Sequence, residues 1–414
     1  MPVDPADTDG SGDEVARHWA VFELAVLAWL ADAVRKDTPP HVVRRRLIVE
    51  TSRAGAEGAR LAATAVEKAW AAGERSARRD IAQIEKTVAT SQPTSQPTSQ
   101  VPRPRPAPAP HVMQPPTIIN TPTPPTLGPA QGPRVAPADM ARTGQPNRRA
   151  LPAAKRAVEQ ATAALSEGMA HAARETAVRA AGQYEAIVRE LAKAQLAGEA
   201  NALQVQQRAL NEWARKGLPS FTDKAGRTWS NQAYSEMLTR TVTQRAYRDA
   251  AHATLVAEGY DLVIVSSHRN PAPMCQPYER KVLSLTGRTR GIVQIPSALT
   301  GDMVTVEVTA SMAEAEAQGY HHPSCRHVES AFVPDVTRPG GTEPNPEGYE
   351  ATQQQRYYER KIREWKRRAA VAEGEHADYA KTKVREWQAR TREHVRVHGL
   401  DRRYYRETPM VGAA

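Results

Sequence analysis

The chain of 414 residues is long enough for two or three domains. Its composition is polar, with 40% hydrophobic and 5% aromatic residues, which excludes one compact core of this size and predicts that part of the chain is linker or solvated helix. A net charge of +10 favours anionic partners, either nucleic acid or an acidic protein surface. Two cysteines exclude a disulfide framework, and no apolar run is long enough to span a bilayer.

The first 90 residues divide into an acidic start and a helical region. Residues 1–14 carry five carboxylates, a charge opposite to that of a secretory signal, and are predicted to be disordered. Residues 15–90 place apolar side chains at helical spacings, with a break at Thr38, Pro39 and Pro40. The pattern predicts a separate N-terminal bundle of two or three helices.

A proline-rich segment, residues 91–146, follows this region. Fifteen of the 32 prolines lie between Pro93 and Pro137, and the segment repeats the sequence Ser-Gln-Pro-Thr. Such a composition cannot bury enough apolar surface to offset its ordering entropy, which predicts a disordered linker, either a simple spacer or a proline-rich ligand of a partner domain. Fully extended at about 3.1 Å per residue, it would let the N-terminal helices work on the order of 150 Å from the rest of the chain.

The remainder predicts an α+β fold that is predominantly α-helical. Residues 147–259 are a long-helix region with alanine-rich seams, which let helices approach closely. Residues 260–338 are predicted to be a small α+β unit, with strand signals confined to residues 260–310. They predict three strands at 260–267, 281–285 and 303–308, with a short helix at 311–318.

A basic helical tail occupies residues 350–414, where 16 basic and nine acidic residues follow position 350. Tyrosine and tryptophan are interleaved with this charge, as in surfaces that bind phosphates and stack on bases. A solvated amphipathic helix pair is the alternative interpretation. The residues predicted to contact DNA or a partner are Arg360, Arg363, Lys366, Arg367 and Arg368.

The sequence contains no P-loop, GxGxxG, HExxH or GxSxG motif, which favours a protein that is not an enzyme. One dense group of histidine and cysteine offers the ligand types that zinc selects. Its spacing matches neither a zinc finger nor a ribbon, so a Cys275–Cys325 disulfide, a Cys–His nucleophile and plain loop packing stay open as alternatives. The candidate metal ligands are His268, Cys275, His322, Cys325 and His327.

Several stretches together carry a family resemblance: Trp229 with Tyr234–Thr241, then Val263–His268, Cys275–Leu285 and Gly319–His327. In this order they resemble the phage minor capsid protein family, which is related to the Mu F-like minor head proteins of tailed phages. The ending at residues 355–367 and 399–402 is also similar. The motif residues of the resemblance are Arg240, Thr241, Ser266, Lys281, Gly319, Pro323 and Arg326.

The resemblance implies a structural minor capsid protein of the virion, located in the head interior or at the portal vertex, and in the host cytoplasm during assembly. It implies a role in head assembly, with DNA packaging or ejection as a further candidate role. It implies the portal protein and the major capsid protein as partners, double-stranded DNA as a further candidate, and no membrane. A Mu F-like module attached to an effector or maturation enzyme, and a general DNA-binding protein, are the alternatives. This chain departs from the family at Tyr278, where tryptophan is usual, at Arg280, where glycine precedes the lysine, and at Ser324, where asparagine is common.

Overall fold

The computed structural model describes residues 6–91, 141–196, 202–222, 228–338, 345 and 347–407. Within this part of the chain the protein is mostly helical with a small mixed sheet, which confirms the predicted fold class. Most of the predicted linker lies outside the described residues, as do residues 1–5 of the acidic start and 408–414 of the tail.

Two long helices open the structure, α1 (Ala6–Arg35) and α2 (Pro40–Ser91). They are separated at the predicted proline pair, because proline has no amide hydrogen to donate to a preceding turn. Helix α1 begins inside the acidic segment, so the prediction of disorder is wrong from Ala6 onward. The reason is a distant partner: Asp13 is 8% exposed and forms an ion pair with Arg240 at 2.8 Å.

The middle of the chain supplies three further helices and a β-hairpin. These elements are α3 (Ala150–Leu196), α4 (Ala202–Lys216), β1 (Pro219–Thr222), β2 (Thr228–Ser230) and α5 (Asn231–Glu258). The Ser230 hydroxyl caps α5 by accepting from the amide of Ala233 at 3.2 Å. Gly259 ends α5 with φ at +90°, a conformation that glycine adopts without strain.

Helix α2 packs against α1, α3 and α5, so the N-terminal helices do not form the separate bundle that was predicted. Glycines of α2 mark each of these contacts, since an added Cβ would collide with the neighbouring helix. At Gly55 the added Cβ would lie 2.8 Å from Ala173 of α3, and at Gly58 it would lie 2.9 Å from Trp19 of α1. At Gly73 it would lie 2.1 Å from Tyr247 of α5. A seam of glycine and alanine has little apolar signal, which is why the sequence pattern did not indicate the shared core.

The described residues on either side of residues 92–140 meet at one place. Val88 near the end of α2 and Ala141 are buried in the same hydrophobic cluster, which continues into the sheet. The amide of Gly144 donates to the carbonyl oxygen of Gly259 at 2.8 Å. The N-terminal helices are therefore part of the same body as the α+β unit, and the predicted long separation between them is wrong.

A five-stranded sheet packs beside the helices in the order β5-β6-β4-β3-β7, with β4 and β6 parallel and the other pairs antiparallel. Strands β3, β4 and β6 confirm the three predicted strands, whereas β5 and β7 were not predicted. A short helix, α6 (Met312–Ala317), follows β6 with a Ser311–Glu314 capping box. The strands are β3 (Leu262–Val265), β4 (Val282–Ser284), β5 (Gly291–Pro296), β6 (Met303–Ser311) and β7 (Glu329–Ala331).

The basic tail folds back on itself as α7 (Gly348–Val371) and α8 (Gly374–His398), followed by the short α9 (Tyr404–Glu407). Aromatic rings join the two long helices, as where Tyr358 lies 5.7 Å from Trp387 between ring centroids. Helix α7 also packs on α4 and α1, so the tail is attached to the helical body. None of the described helices combines the length and the apolar character needed to cross a lipid bilayer.

Candidate functional site

Two loops at one end of the sheet bring together most of the residues with reactive or ligating side chains. The first loop, residues 266–281, connects β3 to β4, and the second, residues 319–328, connects α6 to β7. The second loop is built from tight turns, with φ at +100° for Gly319, +58° for His321 and +65° for Ser324. Because β3 and β7 are paired antiparallel neighbours, the two loops lie against each other.

Three of the five predicted metal ligands come together between these loops. Cys275 and Cys325 are buried free thiols whose Sγ atoms are 3.8 Å apart, and His327 Nδ1 lies 3.4 Å from Cys325 Sγ. The ring of His268 packs against that of His327 with centroids 4.3 Å apart. His322 stays outside the group, with its Nδ1 2.9 Å from a backbone carbonyl oxygen of its own loop.

Hydrogen bonds set the protonation of this group. The contact between the two thiols raises the pKa of Cys275 and lowers that of Cys325 well below its usual value, and His327 adds to the second effect. Burial by itself would lower the pKa of His327, but hydrogen bonds to Cys325 and Glu279 raise it to about 9. The group therefore favours a thiolate and an imidazolium. A cysteine nucleophile uses the same pair, yet Cys325 is 2% exposed and packs against a second thiol, which hinders attack on a substrate.

A buried carboxylate network, which the sequence reasoning missed, lies beside this group. Glu329 at the start of β7 accepts from His252 at 2.8 Å and from His321 at 2.9 Å, and it also contacts the hydroxyl of Tyr320. Burial would raise the pKa of Glu329, but the two histidines hold it well below its usual value. The network joins α5, the second loop and β7, elements too far apart in sequence for any motif spacing to indicate it.

The loops face the C-terminal helices across a cavity of about 620 Å³, here called the arginine cleft. Asp401 is the only carboxylate among its described lining residues, while His268, His322 and His327 lie on the loop side. The wall is therefore strongly basic. Its arginines are Arg269, Arg326, Arg356, Arg403 and Arg406.

Arg356 of α7 lies on the wall of the arginine cleft and is close to other guanidinium groups. Burial, followed by the charges of Arg406 and Arg240, lowers the pKa of Arg356. The neighbouring Glu236 is already shared, at 3.2 Å from Arg240 and 3.7 Å from Arg406. Within the described part of the chain, Arg356 forms no ion pair of its own, so an anion in the cleft would relieve repulsion among these guanidinium groups.

The five tail residues predicted to contact DNA or a partner have different surroundings. Arg360 is exposed, and burial lowers the pKa of Lys366. The other three are engaged within the protein: Arg363 donates to the carbonyl of Arg406 at 2.7 Å, Arg367 to that of Ala214 at 3.0 Å, and Arg368 pairs with Glu364 at 2.9 Å. These contacts favour a structural role for Arg363, Arg367 and Arg368.

The family-motif residues mostly build the loops and connect the helices. Arg240 joins α5 to α1 through Asp13, Thr241 donates to the carbonyl of Met237 at 2.7 Å, and Ser266 accepts from the amide of Val328 at 3.1 Å. Lys281 and Pro323 are exposed, Gly319 turns the chain at the end of α6, and Arg326 lines the cleft. Most of the motif residues therefore form the structural framework of this site.

Comparisons with known proteins relate the chain to structural proteins of phages. The sequence model for phage minor capsid protein 2 matches residues 137–396, a range that includes the sheet, both loops and most of α8. A curated "structural protein" of Lactococcus phage LL-H is 28% identical over 171 residues, which are 40% of this chain and 43% of that relative. No solved structure matches the chain.

These matches define a structural protein of a phage. The chain belongs to the phage minor capsid protein 2 family, since the family match covers more than half of its length. The resemblance drawn from the motifs is thereby confirmed. The alignment with the Lactococcus phage protein spans less than half of that relative.

Proposed function

We propose that this protein is a low-copy component of the phage head that acts at the portal vertex and the capsid interior during head assembly. The family match over residues 137–396 carries the proposal. The packing of α1 and α2 against α3 and α5 supports it further, because the N-terminal helices belong to the same body and do not resemble an attached effector module. The proposed protein partners are the portal protein and the major capsid protein.

Counting copies in purified particles tests this proposal. Quantitative mass spectrometry should find this chain in procapsids or mature heads at a low, portal-scale number, far below that of the major capsid protein. Chemical crosslinking of the same particles should join it to the portal protein. A copy number equal to that of the major capsid protein, or crosslinks confined to tail proteins, would overturn the assignment.

The arginine cleft supports contact with the DNA backbone as a further part of this function. Five arginines face a single carboxylate there, and Arg356 lacks an ion pair within the described residues. Guanidinium groups bind phosphate oxygens with two parallel hydrogen bonds. A phosphate in the cleft would therefore give Arg356 the ion pair that it lacks within the described residues.

Binding of a short DNA duplex at several salt concentrations tests this contact. We expect R356Q to weaken binding and to reduce the slope of log K against log salt by about one, because one phosphate contact is lost. R385Q is the matched control, since Arg385 is exposed on α8 and is not among the residues lining the cleft. Equal losses of affinity in both variants would show that DNA binding depends only on the overall positive charge of the protein. That result would contradict a DNA contact in the arginine cleft.

A further inference from the structure

The spacing of three buried side chains corresponds to that of ligands around a tetrahedral ion. The ligand atoms of Cys275, Cys325 and His327 all lie within 4.8 Å of one another. With bonds of about 2.3 Å to sulfur and about 2.0 Å to nitrogen, tetrahedral zinc separates two sulfurs by about 3.8 Å and a sulfur from a nitrogen by about 3.5 Å. The observed distances are 3.8 Å between the two Sγ atoms and 3.4 Å from Cys325 Sγ to His327 Nδ1.

The surroundings of His327 also resemble those of a metal ligand. Its Nε2 lies 2.9 Å from Glu279 Oε1, and that carboxylate accepts in addition from the backbone amide of His268 at 2.7 Å. Metal-binding histidines commonly donate their second ring N–H to a carboxylate, which fixes the tautomer. With the proton on Nε2, the lone pair of Nδ1 is directed towards the two sulfurs.

His268 lies beside this set. Its ring nitrogens fall outside the group of ligand atoms that all lie within 4.8 Å of one another, so its ring must turn towards the ion to bind it. Its ring packs against His327, and its Nε2 is buried without a hydrogen-bond partner in the described part of the chain. A buried polar nitrogen left unpaired is costly, so a ligand for it would stabilise the loops. Cysteine sulfur and histidine nitrogen together select zinc over magnesium or calcium.

We propose that Cys275, Cys325 and His327 bind one zinc ion, with His268 as the fourth ligand and Glu279 as the residue that orients His327. Binding releases two protons, one from the Cys275 thiol and one from Nδ1 of His327, and connects the first loop to the second. Since both loops line the arginine cleft, the ion would hold the loop side of that cleft in place. This proposal is independent of where in the phage head the protein acts.

Metal analysis of the full chain, expressed in zinc-supplemented medium and purified without a metal-affinity tag, tests the proposal. We expect about one zinc per chain in the wild type and well under half of that in C275S, C325S and H327A. H322A is the matched control, because His322 lies in the same loop but outside the ligand group, and it should retain the ion. E279Q should still bind zinc but with an affinity about 10–100-fold weaker.

Cobalt substitution keeps the proposal falsifiable if the cysteine variants fail to fold. Wild-type protein loaded with Co²⁺ should show thiolate charge-transfer absorption and the strong visible bands of a tetrahedral site. A wild type that binds neither zinc nor cobalt would overturn the proposal. So would a mass lower by about 2 Da, which indicates a Cys275–Cys325 disulfide in place of the ion, or a loss of zinc in H322A as large as in H327A.

Discussion

Two residues at which this chain departs from its family adopt a left-handed backbone. Arg280 has φ at +61° and Ser324 has φ at +65°. The family resemblance implies glycine at the first position and asparagine at the second, and these are the residues that tolerate this conformation best. Backbone geometry therefore accounts for the family preference at both positions without any catalytic role.

We expect R280G to raise the free energy of unfolding by about 1 kcal/mol, because glycine removes the strain of a left-handed non-glycine residue. The Arg280 side chain also contacts the hydroxyl of Ser267 at 3.4 Å, and the loss of its side-chain contacts reduces this gain. Urea denaturation midpoints measure the effect. K281G is the control, since Lys281 has no positive φ and glycine there should only destabilise; a gain of equal size in K281G would contradict the explanation.

Asp80 of α2 should make stability fall as pH rises. Burial raises the pKa of this carboxyl to about 6, although hydrogen bonds with Ala331 and Ser330 of β7 oppose the shift. The folded protein then holds a proton that the unfolded chain releases near pH 4, so stability is lost between about pH 4 and pH 6. We expect D80N to be more stable than the wild type by up to about 3 kcal/mol above pH 7, and nearly equal to it at pH 4.

Urea midpoints for D80N and the wild type, measured from pH 4 to pH 8, check this dependence. D378N is the matched control, because Asp378 is exposed on α8 and the same substitution there changes a carboxyl that lies in solvent. It should show no comparable trend with pH. A D80N advantage that is largest at pH 4 would contradict the sign of the effect.

At the scale of elements, the close approach of α2 and α5 depends on Gly73. A Cβ at this position would lie 2.1 Å from the carbonyl oxygen of Tyr247, and backbone cannot move aside as a flexible side chain can. We expect G73A to lower the free energy of unfolding by about 2–3 kcal/mol through overpacking, despite the better helix propensity of alanine. Thermal and urea denaturation of the purified variant measure the loss.

Gly182 of α3 is the matched control for this substitution. It is exposed, and an added Cβ would meet nothing within 4 Å. G182A should therefore stabilise the protein by about 0.5–1 kcal/mol through helix propensity alone. If G73A and G182A shifted the denaturation midpoint in the same direction, the result would contradict the explanation that an added Cβ at Gly73 overpacks the contact between α2 and α5.

The elements that could be predicted from sequence are those with a regular apolar period or a clear break. The Pro39–Pro40 break, the end of α5 at Gly259 and the β-branched run of β6 all carry such signals. Strand β5 was missed because it is an edge strand with an exposed alternating pattern. Strand β7 was missed because it has only three residues, which pair with the distant strand β3. Local sequence does not encode a contact of that kind.

The candidate site was predictable in composition and not in geometry. The sequence pointed to five possible ligands, of which Cys275, Cys325 and His327 form one group, His268 lies beside it and His322 faces its own loop. The left-handed turns of the second loop decide which side chains meet. The arginine cleft could not be predicted, because its wall combines residues from the two loops with others from α7 and the C-terminal end.

At the scale of the whole molecule, the described residues of the ranges 6–91 and 141–407 form one packed body although a proline-rich stretch separates the two ranges in sequence. The covalent connection should therefore be dispensable for assembly of the fold. We expect residues 1–91 and 141–414, produced as two chains in one cell, to copurify as a complex with equal amounts of each. Size-exclusion chromatography with mass determination checks this outcome.

The same experiment with G73A in the shorter fragment provides the control. This variant should weaken or prevent copurification, because it disturbs the seam between α2 and α5. Two fragments that remain apart, each folded and monodisperse, would show that the N-terminal helices are an independent domain after all.

The pairing of α2 with α5 also has a consequence for synthesis on the ribosome. Helix α2 is complete at Ser91, but its partner does not exist until translation has passed Glu258. At about 5–20 residues per second the nascent N-terminal helices wait on the order of ten seconds or more with their glycine and alanine seams open to solvent. Helix α2 also carries Trp70, Ile84 and Val88, which are buried in the folded protein, so the waiting chain exposes apolar surface that only later elements cover.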